Sequence, residues 1–268
     1  MSVLSIASLI LMLFVVADAR ILGVYTGGQW ESDHATFYGG DDASGTIGAH
    51  SVKIIVKNNC AYTIWPADVT SAAQSHLSNT GFKLASKAST SLDVPAPWNG
   101  QFWARTRCYT DGSGKFTCAT ADCGSGQVAC NGNGGAPPVS LAEFNLAASG
   151  GQDFYDISLE DGFNLPLSIT PQGGSTSCIA PSCAADVNKA CPAKLRVIGS
   201  DGSVIGCNST CIEFNQPQNC CTSTTCPPTI YSMLFKKQCP QAYSYAYDDL
   251  TSLFSCSGRP NYIVTFCP

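Results

Sequence analysis

Gly114-Lys115-Phe116-Thr117-Cys118-Ala119-Thr120-Ala121-Asp122-Cys123-Gly124-Ser125-Gly126-Gln127-Val128-Ala129-Cys130 packs three cysteines into a short, glycine-punctuated run. These belong to a set of 16, all between Cys60 and Cys267, while the first 59 residues hold none. An even count behind a hydrophobic leader reads as a disulfide framework made in an oxidising compartment. The limits of the framework also mark the limits of the folded domain. A zinc reading is weak, because regular paired CxxC spacing is absent. Sixteen cysteines permit about two million pairings, so counting alone fixes none of them. Adjacent Cys220 and Cys221 cannot easily join each other, and each must pair elsewhere.

The leader is Met1 to Ala19. Its apolar run, Leu4 to Val16, is too short to span a bilayer and ends in Ala17-Asp18-Ala19. It reads as a signal peptide cut after Ala19, which predicts a secreted, extracellular protein. Beyond it, charged residues make up 12% of the chain while Gly and Pro are frequent. That balance suits short strands joined by turns and does not suit amphipathic helices, which need a charged face. Val52-Lys53-Ile54-Ile55-Val56-Lys57 and Tyr262-Ile263-Val264-Thr265-Phe266 read as strands. In a third, Ile157 and Leu159 alternate with Ser158 and Glu160. Leu195–Ile198 and Val204-Ile205 flank a Gly199-to-Ser203 hairpin signal. Ala184–Ala190 is a short helix candidate stopped by Cys191-Pro192. Residues 52–268 carry 13 basic and 14 acidic side chains, close to balance. No basic run exists, so the charge pattern excludes nucleic acid as a partner.

The opening stretch resembles the thaumatin-like proteins, also called the fifth pathogenesis-related family. So do Asn58-Asn59-Cys60-Ala61-Tyr62-Thr63-Ile64-Trp65-Pro66, Leu141-Ala142-Glu143-Phe144, Asp156 to Pro166 and Asn261 to Pro268. The resemblance covers residues 52–268. It implies a mainly β fold: a flattened antiparallel β-sandwich (residues 52–105, 139–184 and 240–268), a small loop lobe (106–138) and a disulfide-rich lobe with a short helix (185–239). It also implies the pairs Cys60–Cys267, Cys108–Cys118, Cys123–Cys130, Cys178–Cys256, Cys183–Cys239, Cys191–Cys207, Cys211–Cys220 and Cys221–Cys226. Residues 30–48 resemble the start of plant expansins, but the pattern breaks off at Ala49-His50. An isolated first strand has no partners for its edges, so residues 20–51 read as a disordered or loosely docked extension.

The resemblance implies an acidic cleft made by Arg105, Glu143, Asp156, Asp161 and Asp248, with Asp249 a neighbouring alternative to the last. Gln241 stands where many members have an aspartate. Clustered carboxylates suit glycoside hydrolysis, which needs a proton donor of raised pKa and an ionised partner. Glu143 is the candidate acid and Asp161 its partner, with Asp156 and Asp248 shaping the field. Three readings of the set stand side by side: glycan binding without turnover, weak endo-β-1,3-glucanase activity, and turn-forming aspartates of structural value only. The implied partner is β-1,3-glucan or another cell-wall polysaccharide, with the fungal membrane as a second target. The implied setting is plant defence in the apoplast or vacuole, as a monomer. Enzyme inhibition and membrane permeabilisation are the non-enzymatic alternatives. No cofactor and no metal are expected. Asn208-Ser209-Thr210 is a glycosylation sequon wedged between Cys207 and Cys211. Trp65, Phe82, Trp98, Trp103 and Phe154 read either as a sugar-stacking face or as core. Lys236-Lys237 reads as a solvated pair.

Overall fold

The computed structural model describes residues 50–268, apart from 73, 149 and 223–225. The leader and the stretch read as an expansin-like extension fall outside the described residues, save that the first strand already begins at His50. Two five-stranded sheets make the sandwich. One joins β1 (His50–Asn58), β3 (Ser89–Ala96), β9 (Leu167–Gln172), β10 (Ser182–Cys183) and β14 (Asn261–Phe266) in the spatial order β10-β9-β14-β1-β3. The other joins β2 (Trp65–Thr70), β4 (Trp98–Arg105), β7 (Leu141–Leu146), β8 (Gln152–Ser158) and β13 (Phe254–Ser257) in the order β13-β8-β7-β4-β2. Pairing within these sheets is antiparallel except where β1 meets β14, Ile54 opposite Tyr262 in a parallel register.

Period-two alternation decides which face each strand buries. On β1, Val52, Ile54 and Val56 are buried while Lys53 and Lys57 stay exposed. On β14, Tyr262, Val264 and Phe266 point the same way. Across the sandwich they meet Phe102, Phe144, Tyr155 and Ile157 of the second sheet. Phe144 packs edge-on to Tyr262 with ring centroids 5.1 Å apart, and Phe102 edge-on to Phe144 at 6.0 Å. Such contacts add to the burial of apolar area that drives this core together. Trp98 and Trp103 are both buried, so neither forms a sugar-stacking face.

The outer face of the second sheet carries the other half of each alternation: Gln101, Trp103 and Arg105 on β4, Leu141 and Glu143 on β7, Asp156 and Ser158 on β8. A loop lobe with the hairpin β5 (Tyr109–Thr110) and β6 (Phe116–Thr117) covers part of this face. Trp103 and Leu141 form a second core there with Ala121, Cys123, Cys130 and Val139. Glu143 and Asp156 lie on the same outer face but are not members of that apolar cluster.

The remaining lobe carries α1 (Val187–Ala190), the hairpin of β11 (Arg196–Ile198) and β12 (Val204–Cys207), α2 (Thr210–Phe214), α3 (Pro217–Cys220) and α4 (Ile230–Gln238). Helix α4 starts at Thr229, whose Oγ1 accepts from Ser232 N at 3.0 Å while Ser232 Oγ accepts from Thr229 N at 2.7 Å. This reciprocal cap satisfies two otherwise orphaned donors. Lys236 and Lys237 in its last turn complement the helix dipole. The cysteines pair as Cys60–Cys267, Cys108–Cys118, Cys123–Cys130, Cys178–Cys256, Cys183–Cys239, Cys191–Cys207, Cys211–Cys220 and Cys221–Cys226. No helix of the described residues is long and apolar enough to cross a membrane.

Candidate functional site: an acidic cluster on the outer sheet face

Strand register assembles the site. Gln101 on β4 stands opposite Glu143 on β7, which stands opposite Asp156 on β8. Directly opposed residues have Cβ atoms about 5 Å apart, so the three side chains form a row across the sheet. Glu143 and Asp156 are 9% and 4% exposed and hydrogen-bond to each other. Two carboxylates can share a hydrogen bond only when one keeps a proton. Burial, then the charges of Asp156 and Asp161, push Glu143 well above the ordinary carboxylate range. Burial, then Glu160, push Asp156 up as well, while the bond from Glu143 works the other way. Glu143 is therefore the donor and Asp156 the acceptor.

The chain beyond β8 makes a tight turn. Gly162 has φ +91°, its N donates to Leu159 O at 3.0 Å, and a Cβ there would come within 2.8 Å of Pro138. Only glycine fits such a position without strain. Phe163 then pairs with Cys207 by two 2.8 Å backbone bonds. The turn sets half-buried Glu160 and Asp161 beside the row. Glu160 is a functional candidate that sequence reading passed over. Its carboxyl is raised well above its ordinary value by burial, then by Glu143, Asp161, Asp249 and Asp248.

The segment 243–252 completes the cluster. Tyr243 docks against the end of β8, its N donating to Ile157 O at 2.8 Å and its O accepting from Leu159 N at 2.9 Å. Its hydroxyl donates to Asp249 Oδ1 at 2.7 Å, and burial followed by that bond pushes the phenol pKa up. Asp249 opens α5 (Asp249–Ser252). Asp248, one residue earlier, is tied into its own loop. Its Oδ2 accepts from Ser244 N at 3.1 Å and Ser244 Oγ at 3.0 Å, and pairs with Lys236 Nζ at 3.0 Å. Lys236 is thus a working ion-pair partner that also donates to Ala242 O and Ser252 Oγ. Lys237 alone of that pair is exposed.

Arg105 lies elsewhere. It is 1% exposed, and its guanidinium donates to Trp65 O at 3.1 Å and Val128 O at 2.6 Å and sits 5.4 Å from the centre of the Phe116 ring. Burial lowers its pKa to about 10, opposed by the charge of Asp122. Four residues along β4 from Gln101, it locks the loop lobe instead of meeting Glu143, and Gln101 holds the place beside that carboxyl. Of the five residues expected in one cleft, the structure gathers Glu143, Asp156 and Asp161. It places Asp248 at the margin and takes Arg105 out.

Chemically, the cluster is a buried floor that keeps a proton, under a half-buried rim of Glu160, Asp161 and Asp249. A shallow depression of about 320 Å³ lined by Asp186, Asn188, Lys189, Arg196 and Val204 lies in the other lobe. It mixes charges and offers no comparable chemistry. No group of three or more His, Cys, Asp or Glu among the described residues has the arrangement to hold a metal ion. At the sequon, Asn208 is half-buried and its amide donates to Glu213 Oε2 at 3.0 Å.

Comparison with known proteins gives a consistent answer. A model of the thaumatin family matches residues 58–268. Thaumatin-like protein 1 of Prunus persica is 63% identical over 226 residues, spanning 82% of this chain and 92% of its own. A Prunus avium protein named glucan endo-1,3-beta-glucosidase is 61% identical over the same coverage. Among solved structures, a laminaripentaose-producing β-1,3-glucanase in complex with laminaritetraose aligns with TM-score 0.52 and 11% identity, over 81% of this chain and 99% of the other. That last likeness concerns the fold.

Proposed function

The chain belongs to the thaumatin family, and from that premise we propose that it is a secreted plant defence protein whose acidic cluster binds β-1,3-glucan of cell walls. The observation that carries this reading is the row Gln101–Glu143–Asp156 under the rim of Glu160, Asp161 and Asp249. Carboxyls in this setting accept hydrogen bonds from sugar hydroxyls. Eight disulfides fit an oxidising destination such as the apoplast or vacuole.

Binding without rapid cleavage is the better-supported form. Glycosidases set their two carboxyls about 5–9.5 Å apart so that the sugar or a water fits between them. The acid of such a pair must also reach the glycosidic oxygen, whereas Glu143 is nine-tenths buried and its proton is held against Asp156. Slow hydrolysis is the second reading. It rests on the proton that Glu143 retains, with Asp161 as ionised partner, and on the name of the Prunus avium relative. The test is to incubate the oxidised protein with a linear β-1,3-glucan and measure both co-sedimentation and new reducing ends. Co-sedimentation with few new ends is expected, and Glu143→Gln should abolish whatever cleavage is seen. Absence of co-sedimentation would refute the glucan reading.

A further inference from the structure

We propose that the depression of about 320 Å³ in the disulfide-rich lobe is a second binding site, and that it takes an anionic saccharide: a polymer of uronic acid such as polygalacturonate. It is lined by Asp186, Asn188, Lys189, Arg196 and Val204. The local charge favours an anion. Residues 186–198 hold Lys189, Lys194 and Arg196 against Asp186 alone, an excess of two positive charges in a domain otherwise close to balance. Asp201, on the hairpin between β11 and β12, is already held by Arg107 at 2.8 Å. Arg196 stands opposite Cys207, which is joined to Cys191, and its Nε donates to Cys191 O at 2.8 Å. Its two terminal nitrogens have no partner among the described residues, and the residue is exposed. A guanidinium fixed at Nε and free at its end presents two donors side by side, the geometry that a carboxylate accepts. Lys189 is 84% exposed and only loosely paired with Asp186, at 3.7 Å.

A bare anion would leave the rest of the lining unused. Asp186 makes no capping bond to its own helix, so its carboxylate is available to accept sugar hydroxyls, and it works against a compact dianion such as phosphate. Val204 stands opposite Ile198 on the hairpin, and Ile198 is 55% exposed. Tyr62 is 49% exposed; burial and then the charge of Asp186 raise its phenol pKa, which sets the ring near that carboxylate. These three side chains give apolar surface for the C–H face of a sugar ring. A uronic acid residue combines a carboxylate, several hydroxyls and such a face. The site does not depend on the acidic cluster, so this inference and the glucan reading stand or fall separately.

Isothermal titration of the intact oxidised protein tests this with three probes: the galacturonic acid hexamer, its fully methyl-esterified form and an aspartate hexamer, near neutral pH in calcium-free buffer. The acid hexamer should bind about tenfold more tightly than its neutral ester, with the gap narrowing in high salt. It should also bind more tightly than the aspartate hexamer, and excess laminarihexaose should not displace it. Arg196→Gln and Lys189→Gln should each lower its affinity severalfold. Should Arg196→Gln fail to fold, as judged by thermal melting, the exposed Lys189→Gln decides. Absence of binding, equal binding of acid and ester, or parental affinity in the folded variants would overturn the inference. Equal or tighter binding of the aspartate hexamer would overturn it in favour of bare charge attraction. Displacement by laminarihexaose would overturn it too, since the two sugars would then share one site.

Discussion

Asp68 on β2 is fully buried opposite Phe102, and neither of its carboxylate oxygens has a partner. Burial raises its pKa from 3.8 to about 7. A carboxyl raised in the folded state stabilises fully below the unfolded pKa, and that contribution is lost as pH climbs to the folded value. Over the window from about pH 4 to pH 7 the protein should therefore lose stability, on the order of 3 kcal/mol from this group alone. Asp68→Asn should match the parent near pH 4 and exceed it at neutral pH, read from thermal melts at the two values. An identical difference at both would show that ionisation of Asp68 is irrelevant. The same scale explains why Glu160 was hard to see in the sequence. After Ile157, Ser158 and Leu159 it continues an in-out alternation and looks like an outward strand position. In fact β8 ends at Ser158 and the Gly162 turn swings Glu160 into the cluster.

At the scale of elements, the loop lobe is fixed to β4 through Arg105, whose planar fork reaches carbonyls on both sides at once. A lysine has one point donor and cannot replace that fork. Gly81 lies against the same spot, since a Cβ there would sit 2.7 Å from Arg105 Nη2 and closer still to Val128 O. Arg105→Lys and Gly81→Ala should each cost about 2 kcal/mol in urea melts and speed amide exchange across residues 106–138 more than in β1 or β14. Uniform acceleration through the sandwich would mean the lobe and the sheet open as one unit. Strand segments were legible because β1, β8, β11, β12 and β14 are short apolar runs bounded by turns. The arginine was misplaced because a motif gives an order of residues, whereas the face and register of β4 decide which of Gln101 and Arg105 meets Glu143. Lys236 was misread for a similar reason. Its partner Asp248 is close in space only because α4 and the 243–252 segment pack together.

For the whole molecule, the fold class and both ends of the disulfide framework were readable, since strands, turn residues and cysteines are local signals. The connectivity came only from family resemblance, and the central parallel pairing of β1 with β14 depends on contacts more than 200 residues apart. Cys60–Cys267 closes a separation of 207 residues, and Cys221–Cys226 one of 5. Chain-entropy reasoning assigns about 5 kcal/mol to the first and about 2 kcal/mol to the second. Paired alanine variants should reproduce that order in denaturant melts, and equal losses would argue for an enthalpic origin.

The position of β14 has one more consequence, and it concerns synthesis. β14 is inserted between β9 and β1, two strands made long before it. Until residues 261–266 are available, both of those neighbours present an open edge, and an open edge is a template for pairing with other chains. A nascent chain can shape its hairpins and strands β2, β4, β7 and β8 of the second sheet early, but it cannot close the first sheet until β14 is in place. Assembly of the first sheet thereby waits for β14, and the interval before it is when this protein most depends on chaperones to keep β1 and β9 apart from strangers.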